Sequence, residues 1–244
     1  MTGVSRRYRL SFCPEGEVLA EAHTCEAAVF LRAYGNSEAD LAAEYGPYEH
    51  ASRFIALTDS DGSVVGACRI ILPSAAGLKT VNDVCRAPWS IDGDRAVRLA
   101  GADLARAWDV ATVAVRPDRA VSPLASAALY HGIVMATRAN GVQWIVMMLD
   151  ERARRLLAMA GFVARPIPGT SARPYLGSPA TAPLVGDVAA MIDHQRRVNP
   201  EAYRMMSLGA GLTDIEVPPL SQWLVSDSGL VPSPGAVPGL ARTA

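Results

Sequence analysis

The sequence predicts an α/β protein built on a mixed sheet. Three observations carry that expectation. RFIALTDSDGSVVGACRIIL is two apolar runs, residues 53–58 and 64–72, joined through Asp59-Ser60-Asp61-Gly62, and Asp-Gly between β-rich runs is a hairpin signal. Two more apolar runs of strand length follow, WDVATVAV (108–115) and VQWIVMML (142–149). Between them lies a helical stretch opened by Ser122-Pro123 and stopped by Asn140-Gly141. An antiparallel meander followed by βαβ-like units makes a mixed sheet flanked by helices.

The elements follow in order. Residues 6–12 (RRYRLSF) alternate polar and apolar and read as a first strand. Residues 23–34 form a helix with Ala27, Ala28 and Leu31 on one side and Thr24 as its cap, and Asn36 to Tyr45 form a second, stopped by Gly46-Pro47. After the hairpin, residues 73–108 are irregular with a helix around 95–107. The strand at 108–115 ends at Arg116-Pro117, and a helix spans 122–139 with Pro123 in its first turn. The strand at 142–149 leads to Asp150, which caps the short helix ERARRLLAMA. A last strand is expected at 162–168, then helices at roughly 184–197 and 200–207. From Val217 the chain is rich in Pro, Ser and Gly. The expected organisation is therefore one domain over 1–214 and a tail over 215–244.

Composition excludes several classes. The 244 residues are 50% apolar, enough for a sizeable core, and the net charge of −1 comes with no basic stripe of the kind nucleic acid requires. The N-terminus turns polar before a signal-type apolar stretch develops, and no segment approaches the ~18 uninterrupted apolar residues of a membrane span. We therefore expect a cytoplasmic protein. Cys13, Cys25, Cys68 and Cys85 are widely spaced and read as reduced, buried thiols; His23, His50, His131 and His194 lack metal-ligand spacing. Lys79 is the only lysine, which reads as genomic composition.

The element order and several motifs resemble the GNAT N-acyltransferases. WDVATVAVRPD, the following helix, Gly141, a strand, a short helix and Ala160-Gly161-Phe162 are similar to the second half of that fold. Val65-Gly66-Ala67-Cys68-Arg69-Ile70 resembles a Val-Gly-x-x-Arg-Leu segment shared by acyl-homoserine-lactone synthases and long-chain N-acyl amino acid synthases. GFVARPIPGTSARPYLG (161–177) is similar to the stretch that ends in Tyr-x-Gly in the amino acid synthases.

That resemblance implies site residues. The fourth strand would present backbone N–H groups near Val113 and Val115 to an oxyanion. Asp109 stands where the related synthases carry a Glu; it is either the base, acting through water, or a partner of an arginine such as Arg69, or the anchor of a loop. Arg69 would hold an acceptor carboxylate, or pair with Asp109 or Glu49. Glu49 is a second candidate base, or a surface acid. Phe30 and Tyr34 would line the acyl entrance, or sit in the core. Thr112 replaces a family arginine on the substrate side, which argues against a lactone product. Leu157 stands where many GNAT enzymes place a tyrosine acid.

The donor site departs from the CoA pattern. Residues 119–126 hold no glycine, and Pro123 removes an N–H from the helix start. With Arg116, Arg119 and Ser122 near one phosphate, the resemblance implies an acyl carrier protein donor; the alternative is that these arginines are solvated surface residues. Leu78, Val81, Val84, Trp89 and Leu99 would wall the lipid chain, or form a plain apolar patch. The expectation is transfer of a medium or long acyl chain from a carrier-protein thioester to the amine of an amino acid or similar small molecule, with no tightly bound cofactor and no metal. The alternatives are an acyl-CoA-dependent enzyme with an atypical phosphate loop and an inactive GNAT-like binding protein.

Overall fold

The structure, a computed structural model, describes residues 7–117 and 124–226. Its strands are β1 (Tyr8–Phe12), β2 (Ser52–Asp59), β3 (Val64–Ile71), β4 (Ala107–Val115), β5 (Trp144–Asp150), β6 (Arg165–Pro166), β7 (Arg173–Tyr175), β8 (Ser178–Asp187) and β9 (Ile215–Glu216). The helices are α1 (Gly16–Tyr34), α2 (Glu38–Tyr45), α3 (Lys79–Asp83), α4 (Gly93–Leu99), α5 (Ala125–Ala139), α6 (Glu151–Met159), α7 (Val188–Val198) and α8 (Pro200–Ala202). Strand order is β6-β8-β5-β4-β3-β2-β1-β9, with β7 also on β8. Among the described strands, only the β4–β5 and β1–β9 pairs are parallel. The expected mixed α/β sheet is therefore present.

The hairpin forms as its turn chemistry requires, with Gly62 at φ 84° and the Asp59 carboxylate accepting from the amides of Asp61 and Ser63. All eight residues of β3 are buried because both faces are covered. Cys25, Ala22 and Phe54 pack over one face, and Leu129, Ile133 and Ala136 of α5 join the core on the other. Gly132 permits that second packing: a Cβ there would stand 3.0 Å from Ile55 and 3.1 Å from Trp223.

Several expected boundaries move. α1 begins at Gly16, so Thr24 lies inside it and bonds the Ala20 carbonyl rather than capping. The expected helix at 95–107 is shorter, Gly93–Leu99, followed by a single turn at Leu104–Arg106. The expected strand at 162–168 shrinks to Arg165–Pro166, and the long partner of β5 is instead β8. The helix expected from 184 starts at Val188, where Asp187 accepts from the Ala190 amide, and that expected at 200–207 is α8 followed by a wide turn, Tyr203–Ser207. The Ser122-Pro123 start of the long helix lies outside the described residues. No cysteine forms a disulfide; Cys25 and Cys68 are buried, but Cys85 is exposed. No described helix is long and apolar enough to cross a membrane.

The core runs past residue 214. Ile215 pairs with Tyr8, and Trp223 is fully buried, stacked on Phe12 at 5.7 Å with its indole N–H on the Pro218 carbonyl. Asn140 at the end of α5 donates to the Trp223 carbonyl at 2.7 Å and accepts from the Val225 amide. A residue of this size filling a closed core cannot be deleted without a cavity. Trp223→Ala is expected to cost about 3–5 kcal/mol, read as a lower midpoint in urea denaturation.

A candidate acyl-transfer site in the parted sheet

Strands β4 and β5 pair only at Ala107↔Trp144, Trp108↔Ile145 and Asp109↔Val146. Beyond that point β5 stays on β8 as far as Asp150↔Thr181, while β4 stays on β3 as far as Gly66↔Val115. The two halves of the sheet therefore part. A register shift between Arg69 and Ile70 leaves Ala111 without a partner on β3, a bulge in β4. It turns both Ala111 and Thr112 to the α1 side, Ala111 against Tyr45 and Tyr48 and Thr112 onto Glu26.

The Arg116 N–H closes the ladder on the Val65 carbonyl. Alternation along an antiparallel strand then aims the amides of Val113 and Val115 away from β3, into the gap. Val113 lies four residues past Asp109, and Asp150 four past Val146 (113 − 109 = 4; 150 − 146 = 4), so they stand roughly level across it. Both amides therefore lie on β4 at the edge of the gap.

The gap is a cavity of about 200 Å³ that crosses the sheet. On the α1 side Phe30, Tyr34, Tyr45 and Tyr175 line it; on the α5 and α7 side Ile133, Met147, Met191 and Ile192 do. Phe30 and Tyr34 hold a tilted ring pair at 5.4 Å, so both expected entrance aromatics face the cavity. Thr112, Val113 and Leu157 line it too.

Asp150 is the only charged side chain among the described lining residues. One oxygen caps α6 by accepting from the Ala153 amide at 2.6 Å; the other accepts a short bond from the Tyr34 hydroxyl. Burial, and then this bond, hold the Tyr34 phenol above its ordinary range. The sequence showed Asp150 only as a cap.

Arg69 takes the pairing alternative, with Glu49 and not with Asp109. Its guanidinium is 3% exposed and sits between the rings of Tyr45 and Phe54, at 4.6 and 4.7 Å. Nε and Nη2 donate to the buried Glu26 carboxylate, at 2.7 Å for the shortest contact; Nη1 donates to Glu49 at 2.8 Å and Ser52 at 3.2 Å; Nη2 also meets His23 Nδ1 at 3.1 Å. All five guanidinium N–H groups are used. A donor on Nη2 makes His23 Nδ1 the acceptor, which leaves its Nε2–H for Glu49 at 3.3 Å. Arg69 therefore offers no free N–H to an acceptor carboxylate. Glu49 belongs to this cluster and does not line the main cavity.

Asp109 neither faces the cavity nor meets Arg69. It is fully buried, accepting from the Thr80 amide at 2.5 Å and the Thr80 hydroxyl at 2.9 Å, and so anchors the start of α3. Burial pushes its carboxyl up to about 7, against the pull of the Thr80 bonds. Beside it lies a cluster that sequence reasoning missed. Lys79 is 4% exposed and spends its three N–H groups on Asp83 (2.6 Å), Glu44 (2.9 Å) and Tyr175 (2.9 Å), and the Tyr175 hydroxyl donates to Asp83. Although burial pulls the other way, Asp83 and its neighbours hold the ammonium above its ordinary range. Tyr175-Leu176-Gly177 is positioned by close approach: at φ 82°, a Cβ on Gly177 would stand 2.2 Å from the Tyr34 carbonyl. Leu78, Val81, Val84 and Trp89 form a separate core with Ile167 and Val185 rather than a lipid wall, and Leu99 is exposed. Arg119 and Ser122 lie outside the described residues, and Arg116 directly follows β4.

Solved structures share this architecture. FeeM, an N-acyl amino acid synthase from uncultured soil microbes, matches with a TM-score of 0.58 at 13% identity, over 77% of this chain and 94% of that one. The AHL synthase LasI gives 0.52 at 14%, over 79% and 94%. BjaI, a CoA-dependent acyl-homoserine lactone synthase solved with SAM and isopentyl-CoA, gives 0.54 at 11%, over 89% and 96%. The chain has the GNAT fold. No family model matches the sequence, and no curated protein matches it. Within the GNAT fold, the parted strands and inward amides lie between β4 and β5, and the aromatics of α1 cover one mouth of the gap.

Two outcomes test the electrostatics. Glu26→Gln leaves Arg69 underpaired inside the protein and is expected to cost about 3–5 kcal/mol, whereas Glu49→Gln, at a half-exposed site, is expected to cost under about 1 kcal/mol; chemical denaturation separates them. For Asp109, the folded-state value of about 7 lies above the unfolded value of 3.8. Its contribution is therefore full below the unfolded value and is lost as pH rises through 7. Asp109→Asn is expected to melt progressively higher relative to the parent between pH 5 and pH 8; an unchanged difference would show that Asp109 is ionised throughout.

Proposed function

We propose that the protein is an N-acyltransferase that moves an acyl chain from a thioester to the amine of a small molecule. The observation that carries this is the parted β4–β5 pair, with the Val113 amide on one side of the gap and the Asp150 carboxylate on the other, above an apolar channel. The thioester carbonyl sits at the Val113 amide, and the chain runs toward Ile133, Met191 and Ile192. Asp150, shared with the Tyr34 hydroxyl, takes the proton that the acceptor ammonium must lose. The amine nitrogen attacks the carbonyl carbon, the carbon–sulfur bond breaks, and the thiolate leaves with a proton from the attacking nitrogen. Amide, thiol and one proton from the ammonium are the products. Holding both partners in a dry cleft supplies proximity, and the amide steadies the oxyanion.

An acyl carrier protein is the donor in this reading, with an acyl length in the medium to long range. The glycine-free stretch at 119–126 supports it, as do Arg152, Arg154 and Arg155, exposed on α6 next to the lining residues Ala153 and Leu157. A basic face suits an acidic carrier. BjaI is CoA-dependent on the same fold, so CoA thioesters are the second reading.

The test is incubation with acyl-CoA and acyl carrier protein panels and pooled amines, with thiol release and new amides followed by mass spectrometry. Asp150→Asn keeps the helix cap and removes the carboxylate; it is expected to lower the rate by about 10²–10⁴-fold with little change in melting temperature. Tyr34→Phe is expected to lose less, and Asp109→Asn to retain transfer. Full activity in Asp150→Asn would move the base elsewhere, and no thiol release with any donor would favour a binding protein.

A further inference from the structure

The acceptor's chemistry can be narrowed from the charges around the cavity, an inference that rests on the acyl-transfer reading. An amino acid brings a carboxylate as well as an amine. Inside a protein that carboxylate needs a cation or several free N–H donors, because an unpaired buried charge is strongly disfavoured. Among the described residues lining the cavity there is no cation; the one charged group is Asp150, a carboxylate.

The two cations just behind the wall are saturated. Arg69, reached through Thr112 and Glu26, has its five N–H groups on Glu26, Glu49, Ser52 and His23. Lys79, reached through Tyr175, has its three on Asp83, Glu44 and Tyr175. Both clusters hold more carboxylates than cations: Glu26 and Glu49 against Arg69, and Asp83 and Glu44 against Lys79. A further anion would meet repulsion from each, whereas an ammonium would be drawn to Asp150. The Phe30–Tyr34 ring pair adds aromatic surface on the same side, which suits a cation or an aromatic group, whereas the Tyr45 ring already lies against Arg69 and Lys79 and the Tyr175 ring against Lys79 and Trp89.

We propose that the acceptor is a primary amine without a carboxylate, an aromatic or cationic amine of the kind left when an amino acid is decarboxylated, with its ammonium on Asp150. Two routes would let a carboxylate in. It could displace the half-exposed Glu49 from Arg69 Nη1, or it could reach Arg152, which is exposed on α6 and acts electrostatically on Tyr34.

The experiment uses matched pairs that differ by one carboxylate: tyramine and tyrosine, tryptamine and tryptophan, agmatine and arginine. Tyrosine methyl ester keeps the size and removes the charge. Binding to the full chain is measured by calorimetry, and amide formation with octanoyl-CoA and octanoyl–acyl carrier protein by mass spectrometry. At least one amine is expected to bind about tenfold or more tightly than its amino acid, the methyl ester is expected to follow tyramine, and Asp150→Asn is expected to abolish the difference. Equal or tighter binding of the amino acids overturns the proposal, and loss of that binding in Glu49→Ala or Arg152→Ala identifies the cation responsible. Binding of neither member of any pair overturns it as well. Amide formed from an amino acid sinks this inference while leaving acyl transfer standing; absence of any amide and any thiol release sinks acyl transfer itself.

Discussion

The structure depends on the point where β4 leaves β5. Parallel pairing lasts for three residue pairs and then stops, because each strand is held by a better partner on its other side: β4 by β3, from Asp109↔Ile71 to Val115↔Gly66, and β5 by β8, from Asp187 to Thr181. Neither ladder can bend to close the gap without breaking antiparallel hydrogen bonds. The bulge at Ala111 fixes where the parting begins and which side chains turn toward α1. A strand edge left open inside a protein is a row of unused amides. Here it lies in an apolar cleft, where a carbonyl oxygen is the natural complement.

Around that gap the buried charges form closed sets. Two cations lie almost out of water, and each spends every N–H on the protein. Desolvating them is costly, and only full pairing offsets it. The arrangement also ties distant parts of the chain together: Arg69 links β3 to α1 and to the turn at Glu49, and Lys79 links α3 to α2 and to the β7 end at Tyr175. The ring of Tyr45 lies against both cations. These ties hold the α1 side of the cavity in place, including Tyr34, whose carbonyl abuts Gly177.

What was legible in the sequence was local. The Asp-Gly hairpin, the two buried runs at β4 and β5 and the Asp150 cap each sit within a few residues of their own cause. β8 was not legible, since Pro179, Pro183 and Gly186 lie in its ten residues and proline reads against a strand. Its pairing is set by β5 across the fold, not by its own pattern. The ends of the core were hidden for a similar reason: the Pro-rich stretch after Val217 carries Trp223, whose burial depends on Phe12, Gly132 and Asn140 far away in the chain. At the site, motif position was enough to bring Phe30, Tyr34, Thr112 and Val113 to the cavity lining. Of the partners of Arg69 only Glu49 was legible; Glu26 left a trace as a carboxylate on the apolar side of α1, a position that demands a buried cation. Lys79 stood out as the one lysine, and that rarity was read as composition when the residue is in fact buried and paired.

A charged residue at the end of an apolar strand invites a functional reading, but its free donors decide the matter. Arg69 and Asp109 are the most buried charges on β3 and β4, and both are consumed by the scaffold: one by five protein contacts, the other by Thr80. A group whose bonds are all made within the fold can hold a site's shape, but it cannot also bind what enters. In the proposed acyl transfer the chemistry therefore falls to groups with capacity to spare at the gap itself. Asp150 accepts one bond on each oxygen, yet a carboxylate accommodates about four. The Val113 amide is turned to the opening by the strand's own alternation. In that proposal fold and reaction are divided between two sets of polar groups, and the division follows from counting donors and acceptors.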